Sequence, residues 1–160
     1  MLGLRVPRGV TLVTVREISR RVGVSNGRAH QVINADPSFP APFGVLAGRL
    51  VYDWRRVEAW ATDVGRATNP DPAGSVSFTA ATDVVVVTMT EVAAILAVSI
   101  PRAAELAGEE WFPAPVGRFG RATLWHVDDV TTWNRDVRSD RRHDRTYRRG
   151  PQWRRLEEPN

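Results

Sequence analysis

Between positions 25 and 34 the chain carries Ser25, Asn26, Arg28, His30, Gln31 and Asn34, with no acid among them. These side-chain types hydrogen-bond the edges of nucleic-acid bases. An arginine fork matches the two acceptors of guanine, and a carboxamide matches the donor and acceptor of adenine. Arg28 and Gln31 are three residues apart, so on a helix both face one groove. Gly27, between them and the cap, lets such a helix approach closely. Arg49 follows in a glycine-bearing segment and suits a phosphate or a minor groove. Arg16, Arg20, Arg21, Arg55 and Arg56 are candidate phosphate clamps around this surface.

Other chemistries lack their residues. The chain has no cysteine, and His30, His126 and His143 are scattered, which excludes disulfides and leaves no metal-ligand spacing. All 22 basic residues are arginine, so no phosphate-binding loop with its lysine exists. Arginine also forks onto phosphate where lysine offers a point charge. His143, Arg145 and Tyr147 are types that tyrosine recombinases use, but they crowd into a polar stretch with no core to hold them. The sequence therefore predicts a binding protein, not an enzyme, with neither metal nor cofactor. The apolar runs, such as 84–87, are too short to span a membrane. Residues 1–15 lack a signal peptide's apolar centre, which predicts a cytoplasmic, nucleoid-associated protein.

The charge is unevenly spread. Residues 1–66 hold ten arginines against five acids, residues 67–134 three against eight, and residues 135–160 nine against five. A basic front, an acidic middle and a basic tail underlie the overall +4.

The elements that must position these groups occur twice. Val13-Thr14-Val15-Arg16-Glu17-Ile18 matches Val87-Thr88-Met89-Thr90-Glu91-Val92 at an offset of 74, as do Val24-Ser25 with Val98-Ser99 and Arg28-Ala29 with Arg102-Ala103. Phe39-Pro40-Ala41-Pro42 matches Phe112-Pro113-Ala114-Pro115 at an offset of 73, kept by Val57 with Val130 and Trp60 with Trp133. Each copy opens with a Thr-x-x-Glu capping box, Thr14 with Glu17 and Thr88 with Glu91. Val13 on Ile18 and Val87 on Val92 are the matching staples. A first helix then reaches about Val22 or Leu96, and a three-residue turn ends on Ser25 or Ser99, which cap the second helix. That helix is predicted over about 26–34 and 100–107. Hairpin patterns follow at 44–52 and 117–125. A third helix buries Val57, Trp60, Ala61 and Val64, with Asp53 as its cap, and its counterpart buries Val130, Trp133 and Val137.

The opening helix with its Glu and Val-Ser turn, the Pro-Ala-Pro segment, and the hairpin leading into Val-x-x-Trp resemble the MerR, excisionase and AlpA-like group of winged helix-turn-helix proteins. The likeness covers about two thirds of the chain, once per copy. It implies a mainly α fold with small β-hairpin wings, two tandem winged helix-turn-helix domains from an internal duplication. The domains are expected at 10–66 and 84–137, with a linker at 67–83 and an arginine-rich tail at 138–160. It implies double-stranded DNA as partner, with the second helix in the major groove and the wing on backbone or minor groove. The coiled coil through which MerR proteins dimerise has no heptad here, so a monomer or weak homodimer is expected.

The first copy's DNA-binding residues are then Ser25, Asn26, Arg28, His30, Gln31 and Arg49. The second offers Ser99, Arg102, Arg118 and Arg121. Glu105 and the negative middle segment oppose it, so this copy either reads a second half-site or contacts a protein. A flexible 17-residue linker spans roughly 20–25 Å on average, and half-sites one turn apart need about 34 Å. The tail is either a basic arm or a solvated helix extension, Asp140 and Asp144 having helical spacing. The leading expectation is a transcriptional regulator, a repressor of the kind carried by phages or mobile elements, that reads a composite site. The alternatives are an excisionase-like architectural factor and an adaptor whose second copy and tail bind a protein.

Overall fold

The computed structural model describes residues 2–70, 72 and 76–149, with side chains as far as residue 138. Two short strands, β1 (Leu4–Val6) and β2 (Thr11–Val13), lead into α1 (Val15–Val22) and α2 (Asn26–Ala35). A hairpin of β3 (Gly44–Leu46) and β4 (Arg49–Asp53) and then α3 (Trp54–Asp63) complete the first half. The same succession of element types follows: β5 (Ser77–Thr79), β6 (Val84–Val87), α4 (Met89–Leu96), α5 (Ile100–Ala107), β7 (Gly117–Phe119), β8 (Ala122–His126) and α6 (Val127–Arg149).

Local chemistry accounts for the helix ends. Thr14 Oγ1 accepts the Glu17 N–H at 3.3 Å, satisfying a first-turn donor of α1. At α4 the Glu91 carboxylate accepts the Thr88 N–H at 2.7 Å. α1 ends on Gly23 at φ +71° and α4 on Ala97 at φ +51°, a left-handed cap that glycine fills freely and alanine only under strain. Ser25 and Ser99 cap α2 and α5, and Asp53 caps α3.

The fold is not mainly α. The strands make two four-stranded antiparallel sheets, in the orders β3-β4-β2-β5 and β1-β6-β8-β7, so the chain is an α and β mixture. Three-residue strands such as β1, β2 and β5 are too short to show an alternating pattern in sequence, and the β1–β6 and β2–β5 partners lie 64 to 82 residues apart. The strands are also exchanged between the halves. β1 pairs with β6, placing Leu4 opposite Val86 and Val6 opposite Val84. β5 pairs with β2, placing Phe78 opposite Leu12 and Ser77 opposite Val13. Gly9 N–H to Ala80 O (2.8 Å) and Ala80 N–H to Val10 O (3.1 Å) join the two strand entries. The segment 67–83, expected as a free linker, therefore contains a strand of the first sheet. Residues before position 10, expected outside the first domain, supply an edge of the second sheet.

Both sheets contribute to one central core, in which Val6, Leu12, Val86, Phe78, Phe119 and Leu124 are buried. A helical core flanks it on each side. Ile18, Tyr52, Val57 and Trp60 fill the first, and Val92, Leu96, Trp125, Val130 and Trp133 the second. Val64, expected in the buried stripe, caps α3 and is exposed. The second half also runs past 137. Arg138 donates to Leu96 O at 2.6 Å and Asn134 to Ile95 O at 3.2 Å, closing orphan carbonyls at the end of α4. The helix expected as an alternative for the tail extends to Arg149, and the remainder of the predicted arginine-rich tail, 150–160, lies outside the described residues, as do the side chains of His143 and Tyr147.

The exchanged strands press on the hairpins of the other sheet. A Cβ on Gly117 would stand 2.9 Å from the Phe78 ring, and one on Gly44 would stand 2.6 Å from Leu4 Cδ1. Phe78 is buried and planar, whereas Leu4 is half-buried and ends in a rotatable group. Gly117→Ala is expected to destabilise the protein by about 1–3 kcal/mol, as overpacking does, and Gly44→Ala by less. Urea midpoints of the two variants check this, and equal midpoints would mean that Phe78 does not lock the sheets together.

Candidate nucleic-acid interface

α2 buries Ala29, and packs Val32 and Ile33 partly against the first helical core. The remaining surface, with Asn26, Arg28, His30, Gln31 and Asn34, is exposed. Ser25 Oγ accepts the Arg28 N–H at 3.1 Å, so Ser25 acts as the cap and its hydroxyl is engaged there. The Arg28 guanidinium donates to Gln31 Oε1 at 3.3 Å, which aligns the two side chains on one face. Both border an open groove of about 480 Å³ together with Ala35, Trp60 and Arg66.

The groove's far wall is set by Asp36 at the end of α2. Its carboxylate accepts Ser38 N–H at 2.8 Å, Ser38 Oγ–H at 2.6 Å and Trp60 Nε1–H at 3.2 Å. The Ser38 hydroxyl and N–H, and then the indole, hold the Asp36 carboxyl below the usual carboxylate value of 3.8 against an opposing desolvation. Trp60 and Asp36 were not among the expected site residues. Trp60 carried only a core signal in sequence, and the indole donor that ties it to the groove has no local signature.

The second half is differently equipped. Ser99 Oγ accepts the Arg102 N–H at 3.4 Å, repeating the cap. Arg102, however, is paired with Glu105 at 2.6 Å, and Ile100 beside it is half exposed. The α5 surface therefore offers an internally neutralised arginine and an apolar side chain where α2 offers amides and an arginine without an acid.

The hairpin arginines do not divide by half. Arg49, from the first hairpin, and Arg121, from the second, line one open cleft of about 650 Å³ together with Arg16 and Arg20 of α1. Arg118 is exposed on β7 and is not part of that cleft, because it alternates with Gly117 and Phe119, which face inward. Arg55 and Arg56 are exposed on α3. Arg21 is a correction to the expected phosphate clamps. It is buried, with Nε donating to Glu17 Oε1 at 3.0 Å, Nη2 to Ser77 Oγ at 3.4 Å, and its guanidinium 4.7 Å from the Trp54 ring. Its spacing from Glu17 on α1 and the exchanged β5 claim it for structure. Among the described residues no group of three His, Asp or Glu side chains is placed to hold a metal ion, and no helix is long and apolar enough to cross a membrane.

Two outcomes follow from the Asp36 and Trp60 geometry. A carboxyl whose folded pKa is lowered adds stability that is present above its unfolded value and lost as pH falls through the folded one. Asp36→Ala should thus have a lower urea midpoint than the wild type at pH 6, with the gap narrowing as pH drops below 3.8; a gap that does not change with pH would remove the carboxylate from this account. Trp133 holds the equivalent place in the second half, but its Nε1–H is buried with no acceptor among the described residues. Trp60→Phe is therefore expected to lower the melting temperature more than Trp133→Phe, since only the first change breaks a hydrogen bond. No protein-family model matches the chain, nor does any curated protein or any solved structure.

Proposed function

We propose that the chain binds double-stranded DNA and reads its sequence, acting as a transcriptional regulator of the repressor kind, with α2 as the helix that enters the major groove. The observation that carries this reading is the exposed face of α2. Asn26, Arg28, His30, Gln31 and Asn34 stand in solvent on a capped helix with no acid among them, and Arg28 is aligned with Gln31. Such a face matches base edges in chemistry and in the width of a single helix. The α1–turn–α2 succession followed by a hairpin and α3 supports a winged helix-turn-helix unit. Its recurrence from β5 to α6 supports an internal duplication and the likeness to the MerR, excisionase and AlpA-like group. The reading has no catalytic step and needs no cofactor, and it puts the protein on the nucleoid, as a monomer or weak homodimer.

The second half supports a different role from a second reading helix. Arg102 is neutralised by Glu105, and Ile100 is exposed next to it. Those two features favour a protein partner at α5, which makes the adaptor the second reading. The exchanged strands weigh against two freely tethered half-site readers, because β5 and β1 fix each half to the other's sheet.

Selection from a random duplex pool, followed by sequencing, tests the proposal with the full chain and an Arg28→Ala variant at one salt concentration. One enriched motif is expected for the wild type. In the variant, one or two guanine positions should relax by about 1–3 kcal/mol of discrimination. Binding without a motif would replace sequence reading with an architectural role. No enrichment and no binding would overturn the DNA assignment and leave the adaptor.

A further inference from the structure

We infer that the cleft between α1 and the tips of the two hairpins is a binding site for one phosphodiester backbone of duplex DNA, held by Arg16 and Arg49 from the first half and Arg121 from the second. The inference rests on the DNA-binding reading and adds that the backbone site is composite and single. Neither half carries it alone.

Four arginines converge on this cleft: Arg16 and Arg20 from α1, Arg49 from β4 and Arg121 from the β7–β8 turn. Arg16, Arg49 and Arg121 are exposed and form no ion pair among the described residues. The acid in the cleft is Glu17. Its carboxylate is buried and engaged by Arg21 and by the Val76 N–H at 3.2 Å, with Arg20 at 3.7 Å. Cations gathered around one opening repel each other unless an anion joins them. Guanidinium forks are the side chains that match phosphate oxygens in pairs.

The protein contains its own control for this argument. The strand exchange also brings the first hairpin's tip to α4, forming the counterpart cleft lined by Val45, Ala47, Gly48, Thr88, Thr90 and Glu91. By the offsets that relate the two halves, Thr90 stands where α1 has Arg16, Ala94 where it has Arg20, and Gly48 where the second hairpin has Arg121. The fold thus forms this cleft without any arginine. The positive charge on one side is additional to what the architecture requires, and the ligand it suits is a polyanion.

The exchange also changes what the second hairpin does. Arg121 belongs by sequence to the second half but lies beside the α1 helix that supports α2. Arg118, three residues earlier on the same hairpin, is outside the cleft. The two arginines therefore separate a contact in the cleft from a charge merely near it.

The test is binding of the full chain to a random-sequence 20-base-pair duplex between 50 and 200 mM salt, comparing wild type, Arg121→Ala, Arg121→Lys and Arg118→Ala. A lost phosphate contact lowers the slope of log affinity against log salt by about 0.9. Arg121→Ala should show that drop, Arg118→Ala should keep the wild-type slope, and Arg121→Lys should keep most of it. Equal drops in Arg121→Ala and Arg118→Ala would overturn the cleft in favour of a diffuse charge effect. An unchanged slope in Arg121→Ala, with wild-type binding intact, would overturn this inference and leave the DNA reading standing. Failure of the wild type to bind any duplex would overturn both, whatever small anions it takes up.

Discussion

Each sheet is completed by a strand that belongs, in sequence, to the other half, and most of the molecule's organisation depends on that exchange. β2 would otherwise be an edge strand with its outward N–H and C=O groups unpaired, and so would β6; exposed edges of this kind invite other chains. β5 and β1 cover them. The first half, 60 residues from Leu4 to Asp63, is also near the lower limit of what a single core supports. The exchange merges what would be two small sheet cores into one, with Val6 and Val86 contributed across from Leu12 and Phe78. Two carboxylates reinforce the arrangement. Glu17 accepts the backbone N–H of Val76 just before β5, and Glu91 accepts that of Gly3 just before β1, at 3.0 Å. Each acid sits in the first turn of a helix, where negative charge is favoured, and reaches from there to the entering strand. Arg21 completes the first of these pins, and the buried Glu17–Arg21 pair is satisfied by Ser77 and Trp54 on its outer side. Removing one partner from such a pair leaves a buried charge uncompensated, so the pin at α1 tolerates little change.

The parts of the fold that were legible in sequence are those whose causes are local. Thr14, Ser25, Ser99 and Asp53 are caps because a hydroxyl or carboxylate reaches an N–H two or three residues on, and at Thr88 the Glu91 carboxylate reaches back to the cap's own N–H; that geometry is written in the spacing. Trp60 and Trp133 are buried because they recur with Val57 and Val130 at helical spacing. The α2 surface was legible for the same reason, as polar residues opposite Ala29. What was not legible is pairing between segments far apart in the chain. Ser77–Thr79 is three residues long, follows a proline-rich stretch and offers one large apolar residue, Phe78. Only the vacant edge of β2 makes it a strand. Arg21 is hidden by the same distance between its partners. An arginine on a helix near other arginines reads as solvent-facing until Trp54 and Ser77 are known to close over it. Arg138 was counted with the tail because nothing in its neighbourhood announces the Leu96 carbonyl it caps.

The two halves show how one frame carries different surfaces. Their elements follow in the same order, yet α1 ends on left-handed Gly23 where α4 ends on left-handed Ala97, the Asp36–Trp60 bond has no counterpart at Trp133, and Arg28–Gln31 is answered by Arg102–Glu105. In each pair the first half keeps the unstrained or satisfied version, or the face without an acid. A buried indole donor without a partner costs free energy. In the second half the stacking of Trp133 on Trp111, with ring centroids 5.2 Å apart, takes the place of the missing polar tie. The face used for the proposed reading thus lies on the half whose buried indole is hydrogen-bonded as well as packed.

Rigidity follows from the exchange and bears on any ligand. Two domains on a free 17-residue tether could adjust their separation, and would lose that freedom on binding both sites at once. Here the distance between α2 and the second hairpin's tip is fixed by β-ladders and by the ring of Phe78 against Gly117. The cost of fixing one half against the other does not arise when both meet one ligand, because they are already in place. The same rigidity removes reach. A frame that aligns α2 with Arg49 and Arg121 can serve only one spacing between a groove and its flanking backbone. On the proposed reading, selectivity therefore comes from that fixed geometry as well as from the residues on α2, and a substitution at the strand junction alters recognition without touching either surface.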